Sequence, residues 1–521
     1  MSGGFVSNIN WVALTIFVLL FGLVSWLGFA AAKWRKGDLD QLHEWGLGGR
    51  RFGTVITWFL LGGDVYTAYT FIAIPALAFG QGAIAFFAVP YTVIIYPIMF
   101  LAFRRLWYVC HKHGYITSGD FVRGRFGNRW LALAITVTGI VATMPYIALQ
   151  LVGIQVVLGA LGIQGSGLAA DLPLIIAFVV LAAFTYSSGL RAPASIAVVK
   201  DILIYFTALV AIVVIPMQLG GFGKIFASVP AQKLLLAVPG PNTTGAYTGY
   251  ATLAFGSALA LFLYPHSLTG ILSASSGRVI RRNAAMLPGY TFMLGLLALF
   301  GFFAIAAGVD KLPEFAGGFA AFKNNFAVPA LLLHSFPSWF VGVAFAAIGI
   351  GALVPAAIMS IAAANLYTRN IHREFINKNP TDKQESTIAK LVSLIVKAGA
   401  LVFILFVPTQ YAVQLQLLGG IWIIQTLPAV LIGAYTRWFN SWALLVGWAV
   451  GTYAGTAMAY SINLTNTFPL KVGGYTFPGY TAVYTVLLNL LVALVLTPVF
   501  NAMGTKEKVD ATAPSDYLPT D

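Results

Sequence analysis

Gly62-Gly63-Asp64 sets a carboxylate in the middle of Val55–Gly80, a run long and apolar enough to cross a membrane. An ionised Asp at a bilayer centre costs about 3 kcal/mol on insertion scales, so residues of this kind usually serve function. The two glycines weaken the helix ahead of it and can take backbone angles that side chains forbid. A helix broken at membrane depth beside an acid is how transporters expose backbone carbonyls to a cation. The bland alternative is a satisfied polar residue at a helix–helix contact that the glycines let close up.

The rest of the chain is built for lipid. Of 521 residues, 59% are hydrophobic and 9% charged, and the mean hydropathy is +0.85. Soluble domains carry about a quarter charged residues, so a polytopic membrane protein is expected. The single Cys110 excludes a disulfide framework and a multi-cysteine metal site, and the six histidines form no HExxH pattern. No phosphate loop or nucleophile elbow is present, so no enzyme and no organic cofactor are expected. The formal charge of +14 is spread over short loops and fits membrane topology better than nucleic acid. Asn8–Trp34 is too long for a signal-peptide core and lacks a basic leader, so it reads as an uncleaved helix.

Apolar windows of about 20 residues give about thirteen spanning segments. A leading helix lies near 9–33. Ten core segments fall near 53–80, 83–103, 130–163, 172–188, 195–219, 249–274, 284–308, 337–366, 387–408 and 410–435, and two trailing ones near 440–462 and 479–500. Arg and Lys alternate in step with this count. Arg35, Lys36, Arg50, Arg51, Arg104, Arg105, Lys112, Arg123, Arg125, Arg278, Arg281, Arg282, Arg369, Arg373, Lys378, Lys383, Arg437, Lys506 and Lys508 share one side. The other side holds only Lys224, Lys233, Lys311, Lys323 and Lys471. The bias places the amino terminus outside and the carboxyl terminus in the cytoplasm. The loops 220–248 and 309–336 are candidates for short surface helices, and the polar tail 504–521 is expected to be disordered.

A second interrupted segment lies near 249–274, where Gly256, Pro265 and Gly270 punctuate an apolar run. Pro265 cannot donate to the carbonyl of Leu261, and its ring crowds that carbonyl. Breaks in the first and sixth core segments predict two five-helix halves related as an inverted repeat. The expected organisation is a leader and loop (1–52), a first repeat (53–219), an outer loop (220–248), a second repeat (249–435), two trailing helices (436–503) and the tail (504–521).

These residues resemble the sodium:solute symporter family, which has the LeuT-type five-plus-five fold. The resemblance runs from about Trp45 to Phe500 and is carried by Gly48-Gly49-Arg50, Gly62-Gly63-Asp64-Val65, Gly189-Leu190-Arg191, Ala356-Ala357-Ile358-Met359-Ser360 and Leu417-Leu418-Gly419-Gly420-Ile421-Trp422. Each piece is loose; their order over ten helices is specific. Pro145–Gly153, Phe262–Ser267 and Met359–Asn365 are similar to the bacterial monocarboxylate permease branch, which takes up lactate, pyruvate, acetate or propionate.

The resemblance implies a cation site made by the carbonyls of Gly62, Val65 and Ala357 and the hydroxyl of Ser360. The family's second hydroxyl should stand at 361, where this chain has Ile361. A hard cation held by few oxygens loses much when one becomes aliphatic. Asp64 matches an acidic position of the family's proline carriers. Lys200, next to Asp201 near the cytoplasmic end of the fifth core helix, is the other departure. Some LeuT-type carriers replace sodium with a lysine that binds and releases a proton, and burial disfavours a charged amine. The expectation is that Lys200, with Asp64 as partner, wholly or partly substitutes for sodium, leaving the coupling ion as H+ or Na+. The alternative is that Lys200 snorkels to the interface and pairs with Asp201.

For the substrate, the half-helix after the first break offers free N–H groups and the positive end of its dipole to a carboxylate. Tyr66, Thr67 and Tyr69 follow that break. Depth and resemblance add Tyr146 and Gln150 of the third core helix, Tyr264 and His266 of the sixth, and Trp422 and Gln425 of the tenth. Interface aromatics and interhelical hydrogen bonds are the plain alternatives for each. Lys397 of the ninth core helix is expected to sit in a buried pair or to snorkel. The function expected is cation-coupled symport of a short monocarboxylate across the bilayer, with no obligate protein partner. Sodium-coupled symport of proline or pantothenate, a receptor, and an ion channel are the alternatives.

Overall fold

The helix ends follow local chemistry. Asn10 accepts the amide of Ala13 to open the leading helix, Trp11–Ala30. Asn128 accepts from Trp130 and Leu131 to open core helix 3, Arg129–Ala160. Gly114 and Gly127, at φ 69° and 61°, end Arg104–His113 and Ser118–Phe126 in the left-handed turn that glycine enters without strain. The computed structural model describes residues 9–34, 37–163, 168–406, 412–465, 467–504 and 509–519.

Core helix 1 comes in two parts, Thr54–Gly63 and, after a break, the π-turn Tyr69–Ala73 with Ile74–Gln81. Core helix 2 runs through Ala88–Ile98, Met99–Phe103 and Arg104–His113. Core helices 4 and 5 are Leu168–Ser188 and Arg191–Gln218. Core helix 6 is Tyr247–Leu261 and Pro265–Leu272, bent by 51° at the break. Core helix 7 is Gly277–Thr291 with Met293–Ala307, followed by core helix 8, Ser338–Tyr367, and core helix 9, Asp382–Phe406. Core helix 10 starts as Ala412–Ile423, and Ser441–Ser461 and Thr481–Ala502 trail it.

By length and hydropathy, eight helices among the described residues qualify as membrane spans, and nine when the bent pair is taken as one. The expected thirteen are not reached by that measure, for local reasons. The first part of core helix 1 is ten residues, and Tyr69–His113 counts as one run of 45 residues. Core helix 9 carries Asp382, Lys383, Glu385, Lys390 and Lys397.

The first part of core helix 1 packs on core helices 5, 6 and 7, and core helix 8 packs on the leader and on core helices 3, 5 and 9. The two breaks thus lie at the centre of the bundle. The glycines act there by their lack of bulk: neither Gly62 nor Gly63 has a positive φ. A Cβ on Gly62 would sit 2.5 Å from the Tyr290 ring, and one on Gly63 2.8 Å from the Lys200 nitrogen. Positive φ belongs instead to Gly48, Gly49 and Arg50. Arg50 is held there by its bonds to the carbonyls of Cys110 (3.2 Å) and Tyr115 (2.7 Å). Leu190 donates to the Trp45 carbonyl at 2.9 Å, and Arg191 pairs with Glu44, so the Gly189-Leu190-Arg191 piece clamps the short helix Leu42–Leu47 just ahead of Gly48.

Short helices do occupy the loops 220–248 and 309–336, at Phe222–Ser228, Ala231–Leu234, Ala316–Phe322 and Ala327–Ser335. A hairpin pairs Phe468–Val472 with Tyr475–Gly479 in antiparallel register. The tail departs from expectation: residues 509–519 fold against the arginine-rich end of the bundle. Asp516 lies 2.5 Å from Lys112 and 2.7 Å from His113, and Asp510 lies 2.8 Å from Arg125 and 3.3 Å from Arg437. Tyr517 is buried, with the Arg105 guanidinium 4.9 Å from its ring. Composition marked the tail as polar; the Arg, Lys and His partners that dock it come from distant loops.

Candidate functional site

At the break in core helix 1, the backbone turns off after Gly63 and resumes at Tyr69. Its carbonyls are taken by a side chain from core helix 5. The Lys200 ammonium, fully buried, donates to the carbonyl of Gly63 and, at 3.2 Å, to that of Tyr66. Asp201 stands 2.9 Å from the same nitrogen. The pairing with Asp201 is therefore present, but at the centre of the bundle and not at an interface. Lys200 does not meet Asp64, and its carbonyls are those of Gly63 and Tyr66 where Gly62 and Val65 were expected. The Gly62 carbonyl instead accepts the Val65 amide at 3.1 Å.

Asp64 turns to core helix 6. Its Oδ2 accepts from Ser267 at 2.7 Å and lies 3.4 Å from His266 Nε2, while Oδ1 has no hydrogen-bond partner among the described residues. Neither His266 nitrogen makes a hydrogen bond either. The imidazole sits against the rings of Tyr146 (5.3 Å) and Tyr264 (5.4 Å). Tyr264 donates to the carbonyl of Gln416 at 3.1 Å, which ties the second break to core helix 10. Carboxylate, imidazole and two phenol rings thus converge between the two breaks.

The free N–H groups expected after the first break are occupied. Thr70 Oγ1 accepts from the Thr67 amide (3.0 Å), Thr67 Oγ1 from the Tyr69 amide (3.0 Å), and Gln150 Oε1 from the Ala68 amide (3.2 Å). The Tyr66 hydroxyl donates to the Tyr290 carbonyl. Tyr69 keeps a buried hydroxyl with no hydrogen-bond partner among the described residues. Trp422 and Gln425 point away, toward the trailing helices. The Trp422 indole donates to Thr456 at 3.0 Å, and Gln425 bonds Thr485 (3.0 Å) and Asn489 (3.1 Å). Depth and resemblance had put both with the substrate; their azimuth turns their hydrogen bonds to the trailing helices instead.

On core helix 8, Ser360 donates to the Ala357 carbonyl at 2.8 Å, beside the buried Ile361. Among the described residues no hydrogen bond joins this pair to the break in core helix 1. Sequence reasoning missed Ser267, Thr70 and Ser393, which are short hydroxyl residues within apolar runs and carry no mark of their own. The residues a cation or a small anion would meet are therefore sorted. The Gly63 and Tyr66 carbonyls already face an ammonium, and His266, Tyr69 and Asp64 hold the buried polar atoms without partners.

A family model, that of the sodium:solute symporter family, matches residues 45–451. The chain belongs to the sodium:solute symporter family. This symporter is 51% identical over 504 residues to a monocarboxylate transport permease protein of Rhizobium johnstonii, covering 95% of this chain and 98% of that protein. It is 32% identical to YodF, an uncharacterized symporter of Bacillus subtilis, over 94% of each. Among solved structures, a substrate-bound, outward-open Na+-coupled sialic acid symporter aligns with a TM-score of 0.74 at 15% identity, over 94% of this chain and 98% of that one. At that identity the likeness speaks for the fold alone. The protein is an all-α, LeuT-type multi-pass membrane transporter and not an enzyme.

Proposed function

We propose that this symporter carries short monocarboxylates such as lactate, pyruvate, acetate or propionate into the cell, driven by protons, with Lys200 standing where relatives hold a cation. The observation that carries the coupling is the Lys200 ammonium on the carbonyls of Gly63 and Tyr66. An ammonium brings one positive charge to those oxygens through its N–H donors, as a bound sodium ion would by direct coordination. Ile361 in place of a hydroxyl agrees with a site that no longer depends on sodium.

The substrate reading rests on the group between the breaks and on the 51% identity to a monocarboxylate transport permease protein. His266 and Tyr69 each keep a buried polar group without a partner that a carboxylate could use, and the Tyr146 and Tyr264 rings, 5.3 Å apart, give an apolar wall for a small tail. Arg191, the arginine buried most deeply, is already paired with Glu44. Recognition through neutral donors and one imidazole suits a monoanion better than a dicarboxylate. Alternating access then follows from rocking of core helices 1, 2, 6 and 7 against the rest, with the arginine-rich end in the cytoplasm. The repeats are taken as 53–219 and 249–435.

The test is uptake of labelled lactate and acetate into proteoliposomes with proton and sodium gradients imposed separately. Accumulation under an inward proton gradient without sodium is expected, and a strict sodium requirement would overturn the coupling. Competition by propionate and pyruvate is expected; succinate competing as well as lactate would overturn the substrate class.

A further inference from the structure

We infer that Lys397, on core helix 9, is the amine that takes up and releases the transported proton, while Lys200 serves as a resident positive charge. This deepens the proton-coupled reading above and rests on it. The two buried lysines differ in what surrounds them. Lys200 donates to two carbonyls and stands beside the Asp201 carboxylate, so its contacts suit a fixed positive charge. Lys397 is 2% exposed, and its nitrogen meets a single hydroxyl, Ser393 Oγ, at 2.8 Å. It neither snorkels nor pairs with a carboxylate among the described residues.

Among the described residues no counter-charge is paired with Lys397. Core helix 9 packs on core helices 3, 4 and 8, on the short helix Leu42–Leu47 and on the turn Thr368–Ile376. Their described charged and titratable groups are Arg129, Tyr146, Tyr186, Tyr367, His43, Glu44, Arg369, His372, Arg373 and Glu374, with Asp382, Lys383, Glu385 and Lys390 on core helix 9 itself. The acids nearest that end are engaged elsewhere: Glu44 by Arg51 and Arg191, Glu374 by Arg123, Glu385 by Arg369 and Arg373. A buried ammonium with no counter-charge is costly, and losing its proton removes the cost.

Two buried hydroxyls lead from Lys397 to core helix 8. Ser393 Oγ lies 3.1 Å from Ser360 Oγ, which in turn donates to the Ala357 carbonyl. Loading transfers one proton along two hydroxyls. Ser360 Oγ takes a proton from hydronium, which leaves as water, and passes its own to Ser393 Oγ, and Ser393 passes its own to the lone pair of Lys397 Nζ. Release runs in reverse, and no charge other than the proton moves. Once charged, Lys397 has donors only, so Ser393 must turn its proton to Ser360 and Ser360 its proton to Ala357. The direction of this chain thus reports the charge of Lys397 to core helix 8.

The experiment compares wild type, Lys397→Met, Lys397→Arg and Ser393→Ala in proteoliposomes, reading lactate accumulation under an imposed pH gradient relative to lactate counterflow at equal pH. In Lys397→Met this ratio is expected to fall by about tenfold or more and the pH profile to flatten. Lys397→Arg, always charged, is expected to lose the pH dependence as well. A wild-type ratio and pH profile in Lys397→Met would overturn the role of Lys397 and leave the proton-coupled reading standing. A wild type that ignores the pH gradient would sink both. If Lys397→Met does not assemble, Ser393→Ala decides, since it keeps the amine and removes the relay; unchanged coupling in that variant overturns the proposal.

Discussion

At the scale of single residues, the two glycines ahead of Asp64 matter for closeness. A Cβ at position 63 would fall 2.7 Å from an Asp201 oxygen and 2.8 Å from the Lys200 nitrogen, both parts of a buried charge pair. Gly63→Ala should therefore cost about 1–3 kcal/mol, as overpacking does, and lower uptake more than stability alone explains. Thermal unfolding in detergent and proteoliposome uptake on the same preparation check this. Lys200→Met leaves Asp201 buried without its partner, a loss of about 3–5 kcal/mol. Adding Asp201→Asn should restore much of the thermal stability without restoring uptake. Wild-type uptake in the double variant would mark Lys200 as structural.

At the scale of elements, each break is held by side chains from a neighbouring helix. The first is filled by Lys200 from core helix 5 and Gln150 from core helix 3; the second is tied by the Tyr264 hydroxyl to core helix 10. Tyr264→Phe removes that tie and should cost about 0.5–1.5 kcal/mol. Because it also loosens the wall against His266, the apparent KM for lactate should rise; an unchanged KM would place Tyr264 outside the substrate wall. Both interruptions were readable as Gly-Gly-Asp and as a proline inside an apolar run. Which side chain enters each break was not readable, because it depends on helices far away in sequence.

At the scale of the whole molecule, the tail links parts that a rocking bundle would move. Residues 509–519 join the end of core helix 2, through Lys112 and His113, to Arg437 beyond core helix 10. Burial alone would raise the Asp516 carboxyl, but the Ala513 amide, Lys112 and His113 hold it well below the usual carboxylate range. A lowered value means that the stabilisation is fully present above the unfolded value of about 3.9 and fades only as pH falls through the folded one. Docking should accordingly show no loss through Asp516 between about pH 5 and 8. Limited proteolysis of the tail should be equally slow at both ends of that range and several-fold faster in Asp516→Asn. Equal cleavage of wild type and variant would show that the carboxylate does not hold the tail.

The sequence by itself determined the class of the molecule. Apolar runs, alternating basic loops and two punctured helices restrict a chain to a bundle in lipid, since every backbone group there must find its partner within a helix or at a deliberate break. Residue order also placed Asp64 and His266 within apolar runs, and Lys200 near the cytoplasmic end of another. Tertiary structure alone decided the partners: Lys200 with the Gly63 and Tyr66 carbonyls, Asp64 with Ser267, Gln425 with the trailing helices, Lys397 with Ser393, and the tail with the arginine-rich end. Depth follows from counting along one helix, whereas a partner depends on the rotation of two helices about their axes. That rotation is set by packing between residues hundreds of positions apart.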